Sequence, residues 1–251
     1  MSLSSFSSMG HYVSRVGISA PPYVPPPGME TISTDNLMYF YDYETVSVSG
    51  STIKNGILNG THDATLFGTN PIQTTTFRNG SGALNCSNTK YARLTNATNF
   101  HSTANTVSIC FKFRLTAVGG YPCLFQVLNN ANGAISQIQI YGQSPTTMRF
   151  VSFSPSYTEF NISTSIALNT WYSVVVTKNG NAINGFLNGV ASGSVNNATN
   201  FLITTNATNR WVSGIDFNQQ GHVFNGFIDD FRIYNRVITG AEITTLHNTL
   251  S

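Results

Sequence analysis

The stretch GFIDDFRIYNRVITGAEITTL, residues 226–246, decides the reading of this chain. Its first nine residues are rich in aromatic and β-branched side chains at near-alternating positions, the pattern of a strand with one face on a core. Thr239-Gly240-Ala241-Glu242 then forms a capping box, with the Thr hydroxyl placed for the third amide and the Glu reaching back. Ile243, Leu246 and Leu250 follow at helical spacing. The stretch therefore predicts a strand that leads into one short C-terminal helix. Asp229 and Asp230 are adjacent on that strand, so successive side chains should send one toward solvent or a rim and the other inward or toward a partner.

The same β signal recurs toward the N-terminus, in LMYFYDY (37–43), VSICFKFRL (107–115), ISQIQIY (135–141), MRFVSF (148–153), WYSVVVTK (171–178) and INGFLNGV (183–190). Asn, Gly, Ser and Thr punctuate these runs. Asn179-Gly180 lies between two of them and offers the positive φ of a tight hairpin. An all-β, two-sheet antiparallel sandwich is the fold this spacing predicts.

Composition narrows the function. The 251 residues carry 12 Lys and Arg against 10 Asp and Glu, or 9% charged, where an ordinary soluble domain has about 25%. Asn (28), Thr (30) and Ser (27) take their place. Thirty aromatics and a net charge of +2 argue against disorder. Phosphate neutralisation needs clustered cations, and the densest basic group is Lys112 with Arg114, so nucleic-acid binding is not expected. No run approaches the roughly 18 apolar residues of a membrane span, and residues 1–20 lack the pattern of a secretory signal. Cys86, Cys110 and Cys123 are expected to be buried free thiols.

Residues 1–30 stand apart from the rest, which the reading assigns to one domain, 31–251. Five of the nine prolines fall in APPYVPPPG (20–28), where fixed φ and missing amide donors favour an extended polyproline II path. This segment, with Pro21, Pro22, Tyr23, Pro25, Pro26 and Pro27, is expected to be an arm that binds other protein subunits of an assembly.

Four motifs carry a family likeness. WYSVVVT (171–177), GFLNG (185–189), GFIDDFRIYNR (226–236) and the helix from Thr239 to Leu246 resemble, in order and spacing, the laminin G-like, concanavalin A-like jelly-roll family. Weaker likeness extends upstream through residues 36–43, HDATL (62–66), GALN (82–85) and 106–113, so it spans about 36–249. The form TIKNGILNGTHDATLFG (52–68) also resembles jelly-roll proteins of large DNA viruses. The resemblance implies that Asp229 ligates a structural calcium with main-chain oxygens, with Asp42 and Asp63 as co-ligands. The family's usual acidic calcium loop is absent between Tyr43 and Asp63.

Glycoside hydrolases resembling this fold place acids two apart on a strand, because such side chains share a face. The four Glu here are Glu30, Glu44, Glu159 and Glu242, and the single such pair, Asp42 with Glu44, lies in the first strand. No catalytic residue is therefore expected. Sugar binding needs exposed aromatics among hydroxyl and amide groups, and Tyr121, Tyr157, Phe160 and Trp211 lie in such loop-like surroundings. The expectation is a non-enzymatic structural or interaction protein, a virion or extracellular-surface component, with a carbohydrate-binding, calcium-dependent module as the alternative.

Overall fold

The computed structural model describes residues 35–43, 48–53, 56, 63–78, 80–94, 106–118, 121–128, 134–141, 147–153, 157–196, 210–215 and 222–249. The arm prolines, Tyr23 and Glu44 lie outside them. In chain order the strands are β1 (Leu37–Tyr41), β2 (Val48–Ser49), β3 (Thr52–Ile53), β4 (Ala64–Phe67), β5 (Ile72–Gln73), β6 (Ala83–Cys86), β7 (Tyr91–Leu94), β8 (Thr106–Ala117) and β9 (Cys123–Leu128). They continue as β10 (Ala134–Tyr141), β11 (Thr147–Ser152), β12 (Thr158–Ser163), β13 (Trp171–Asn179), β14 (Ala182–Leu187), β15 (Val190–Asn196), β16 (Arg210–Ser213) and β17 (Asn225–Tyr234), followed by helix α1 (Gly240–Asn248).

Two antiparallel sheets form the sandwich. The first runs β15-β14-β13-β8-β17-β6-β5, with β1 also paired to β17; the second runs β12-β11-β10-β9-β16-β7-β4-β3-β2. The all-β jelly roll read from the sequence is the observed fold. Each early run is a strand, with one correction: 183–190 is not continuous. Asn188 (φ 52°) and Gly189 (φ 79°) turn the chain between β14 and β15. The hairpin before it also shifts by one residue. Asn179 pairs with Ala182, so the turn residues are Gly180 and Asn181. Gly180 supplies the positive φ of 58°, as a turn with its first central residue left-handed requires.

Strand β8 shows how alternation builds the layers. Val107, Ile109, Phe111, Phe113 and Leu115 enter the core between the sheets. The even positions face the other way, where Cys110 joins Leu37, Phe40, Val175, Tyr234, Ile238, Ile243 and Leu246 beneath α1. The helix is thus the lid of a second, smaller core on the outer face of the first sheet. Its capping box forms as expected: Glu242 N donates to Thr239 Oγ1 at 3.2 Å and Thr239 N donates to Glu242 Oε2 at 2.7 Å. Arg236 donates twice to the same carboxylate, at 2.8 and 2.5 Å, and these bonds hold the Glu242 carboxyl down to about 2 despite its burial. All three cysteines are buried free thiols.

Candidate functional site

Strand β12, at the edge of the second sheet, and its neighbour β11 carry the most exposed aromatic group among the described residues. Phe150 and Phe160 oppose each other in register and both enter the core. Residues one step away therefore face outward. Arg149 opposes Asn161 on that outer face, Val151 opposite Glu159 is itself covered, and Phe153 and Tyr157 extend the two rows beyond the strand ends. Phe153 is 39% and Tyr157 58% exposed. Their rings meet edge to face, with centroids 5.9 Å apart at 64°. Tyr157 Oη donates to Glu159 Oε2 at 2.5 Å, and Arg149 forms an ion pair with the same oxygen. Two ring faces thus stand beside a carboxylate, a guanidinium and the exposed Asn161. Apolar ring surface next to fixed hydrogen-bonding groups is what a sugar requires, because its C–H faces stack while its hydroxyls donate and accept.

The four aromatics expected to serve glycans do not gather. Tyr157 belongs to the platform. Tyr121 precedes β9, is 39% exposed and meets His222 edge to face at 5.0 Å, near the opposite end of the second sheet. Phe160, placed in a loop by the sequence reading, lies in β12 and is buried in the main core. Trp211, also read as loop-like, lies in β16 with its backbone in register with Val127 and Leu94. Phe153, Arg149 and Glu159 were missed. Their signal is present: R-x-V-x-F at 149–153 and Y-x-E-x-N at 157–161 each put three residues on one face, but their apposition depends on strand pairing.

The acidic pair in β17 departs from expectation. Asp229 and Asp230 are both buried, at 0% and 2% exposure, and do not divide between a rim and the interior. The register with β8 breaks between Asp229 and Arg232, and Asp230 has φ 51°. This bulge inserts a residue and re-aims the side chains. Asp230 accepts from Arg232 Nε at 2.7 Å and pairs with Lys112 Nζ. Burial alone would raise its pKa, but the two cations hold it at about 2. Burial pushes Lys112 down and Asp230 opposes that. The Arg232 guanidinium also lies 4.7 Å from the Phe40 ring centre.

Asp229, Asp42 and Asp63, the expected calcium ligands, form no three-carboxylate cluster among the described residues. Asp229 Oδ2 accepts from the Arg78 amide at 2.9 Å, which makes it a fastener for the segment before β6. Asp42 follows β1 in the first sheet, and Asp63 precedes β4 in the second. Among the described residues no three His, Cys, Asp or Glu side chains come together to hold a metal ion.

A family model described as the concanavalin A-like lectin/glucanases superfamily matches residues 86–244. No curated protein matches by sequence. Among solved structures, domain 4 of AbnA, a GH43 extracellular arabinanase from Geobacillus stearothermophilus in complex with arabinotriose, is similar with a TM-score of 0.60 and 19% identity, covering 85% of this chain and 98% of that one. The binding domain of botulinum neurotoxin DC, in complex with rat synaptotagmin II, is similar with a TM-score of 0.61 and 18% identity, covering 86% and 52%. A Trypanosoma rangeli sialidase in complex with the inhibitor DANA gives 0.61 and 15%, covering 92% of this chain and 36% of that one. At these identities the likeness is one of fold.

Proposed function

The chain belongs to the concanavalin A-like lectin/glucanases superfamily, and from that premise we propose that it is a non-enzymatic carbohydrate-binding module whose platform is the outer strip of β11 and β12. The observation that carries this reading is the exposed Phe153–Tyr157 pair beside the Arg149–Glu159 ion pair. The arabinanase domain supports it, since that structure holds arabinotriose and nearly its whole length aligns with this chain.

The placement of the described acids favours binding without turnover. Hydrolysis by the common route needs two carboxyl groups flanking the scissile bond, about 5–5.5 Å or 6.5–9.5 Å apart. Glu159 instead faces an arginine and a tyrosine, while Asp229 and Asp230 are buried. Calcium has no part in the platform, so binding should survive EDTA.

The test is a glycan array followed by calorimetric titration, with arabinotriose as the first soluble ligand. Tyr157→Ala and Phe153→Ala should each weaken binding about 2- to 12-fold, the worth of one aromatic contact of about 0.5–1.5 kcal/mol. Absence of binding to every glycan on the array would remove the proposal. Cleavage of a bound oligosaccharide would overturn its non-enzymatic part.

A second proposal is a subunit of a packed assembly, such as a virion or another extracellular surface, held through residues 1–30. The low charge favours it, because charged residues are depleted at interface cores, as do exposed Leu168 (44%) and Val190 (67%). Deleting residues 1–30 should then abolish incorporation into that assembly.

A further inference from the structure

The two sides of the sandwich are unlike. On one side the sheet edges close on each other: β12 packs on β15 and β14. A Cβ at Gly193 would lie 2.1 Å from the Asn161 carbonyl oxygen, and one at Gly185 would lie 2.8 Å from the Phe160 ring. On the other side the first sheet ends at β5 and the second at β2. Between them lies a cleft of about 390 Å³ lined by Val48, Gly50, Ser51, Leu66, Gly68, Asn70, Pro71 and Ile72. No ionisable residue is among these. Leu66 is buried, while Val48, Pro71 and Ile72 are half-buried. Ser51 and Asn70 contribute a hydroxyl and an amide donor at its polar side.

We propose that this cleft takes the proline-rich segment of the same chain, residues 21–27, which then covers the open side of the sandwich. The chemistry is complementary. PPYVPPP is uncharged and apolar, and five of its seven residues lack an amide hydrogen. Such a segment offers carbonyl acceptors and almost no donors. The cleft offers apolar walls, two side-chain donors and the outer edges of β2 and β5. A polyproline II path is also extended before binding, so little conformational entropy is lost on docking.

The reach is sufficient. A Cβ at Gly82 would lie 2.4 Å from the Tyr43 carbonyl oxygen and 3.2 Å from Ile72 Cγ2, so the chain just beyond β1 passes beside the cleft. From Asp35 to Tyr43 is eight steps, about 26 Å at ~3.3 Å per residue. The eight steps from Pro27 to Asp35 span up to about 26–29 Å when extended, and the fourteen from Pro21 up to about 46–50 Å. The segment can therefore fold back along β1 and enter the cleft of its own chain.

The experiment uses the full chain. The native cysteines are buried, so an Ala20→Cys, Ser51→Cys pair can be joined selectively by a short bis-maleimide in dilute solution. The control pair joins Ala20→Cys to Val190→Cys, on the closed side. Cross-linking within one chain should favour the Ser51 pair by about tenfold or more over a merely tethered arm. In a second measurement, replacing Pro25, Pro26 and Pro27 by glycine should accelerate amide hydrogen exchange in β2, β3 and β5 while leaving β8 and β13 protected. Equal yields for the two pairs, unchanged exchange, or cross-links that form only between chains would each overturn the proposal. Since the readouts do not involve sugar, loss of glycan binding and failure of this docking are distinguishable.

Discussion

Residue by residue, the main surprise concerns charge. The chain has 22 charged side chains, and Lys112, Asp229, Asp230 and Arg232 are all buried around one bulge. Taking ions out of water is costly unless each is paired, and the pairing here depends on Asp230. Its left-handed φ of 51° makes Asp230→Asn the informative change, because Asn also tolerates that conformation while removing the charge. Lys112 and Arg232 would then be left as buried cations facing an amide. The expected loss is about 3–5 kcal/mol of stability, measured by denaturant unfolding at neutral pH. A loss below about 1 kcal/mol would show that the bulge, and not the ion pairing, is what matters. The alternation of I-D-D-F cannot reveal this arrangement, since strict period two assigns the two aspartates to opposite faces.

At the level of elements, α1 is a helix whose start is fixed by side chains. Thr239→Ala removes the acceptor for Glu242 N and should cost about 1 kcal/mol. The Glu242 carboxyl has a folded-state pKa of about 2 against an ordinary 4.5. A depressed carboxyl pKa means that the unfolded state binds protons more readily, so stability falls as pH is lowered. Glu242 therefore contributes in full above about pH 5, and its contribution is lost as pH falls from 4.5 toward 2. Glu242→Gln should lower the melting temperature at pH 7 and have little effect at pH 2; a constant difference across that range would contradict the Arg236–Glu242 account. This element was fully legible in the sequence because its signals are local. The platform on β11 and β12 was only half legible: Tyr157 stood out as an aromatic in polar surroundings, but its partners Phe153, Arg149 and Glu159 meet it through register. Phe160 failed as a candidate for the same reason, one step of alternation placing it in the core.

Across the whole molecule, the sandwich is asymmetric between its closed and open sides, and the closure rests on the absence of side chains. Gly193→Ala would place a Cβ 2.1 Å from the Asn161 carbonyl oxygen, too near for any real contact, and backbone would have to move. Overpacking of this kind costs about 1–3 kcal/mol, and thermal unfolding should show the loss, whereas Gly50→Ala, with nothing within 4 Å, should lose less despite its positive φ. The sequence by itself determined the strand runs, the capped helix, the buried thiols and the all-β sandwich, because all of these follow from periodicity and from contacts within a few residues, while the jelly-roll class came from the family resemblance of its motifs. It also argued against a cluster of cations for nucleic-acid phosphates. Only the tertiary structure decided that Asp229 fastens a backbone amide while Asp230 joins two cations, that one predicted aromatic is core and another forms the platform, and that one side of the sandwich has a cleft. These outcomes depend on which strands lie side by side and on where a single inserted residue breaks their register, and such long-range pairings leave no periodic trace in the chain.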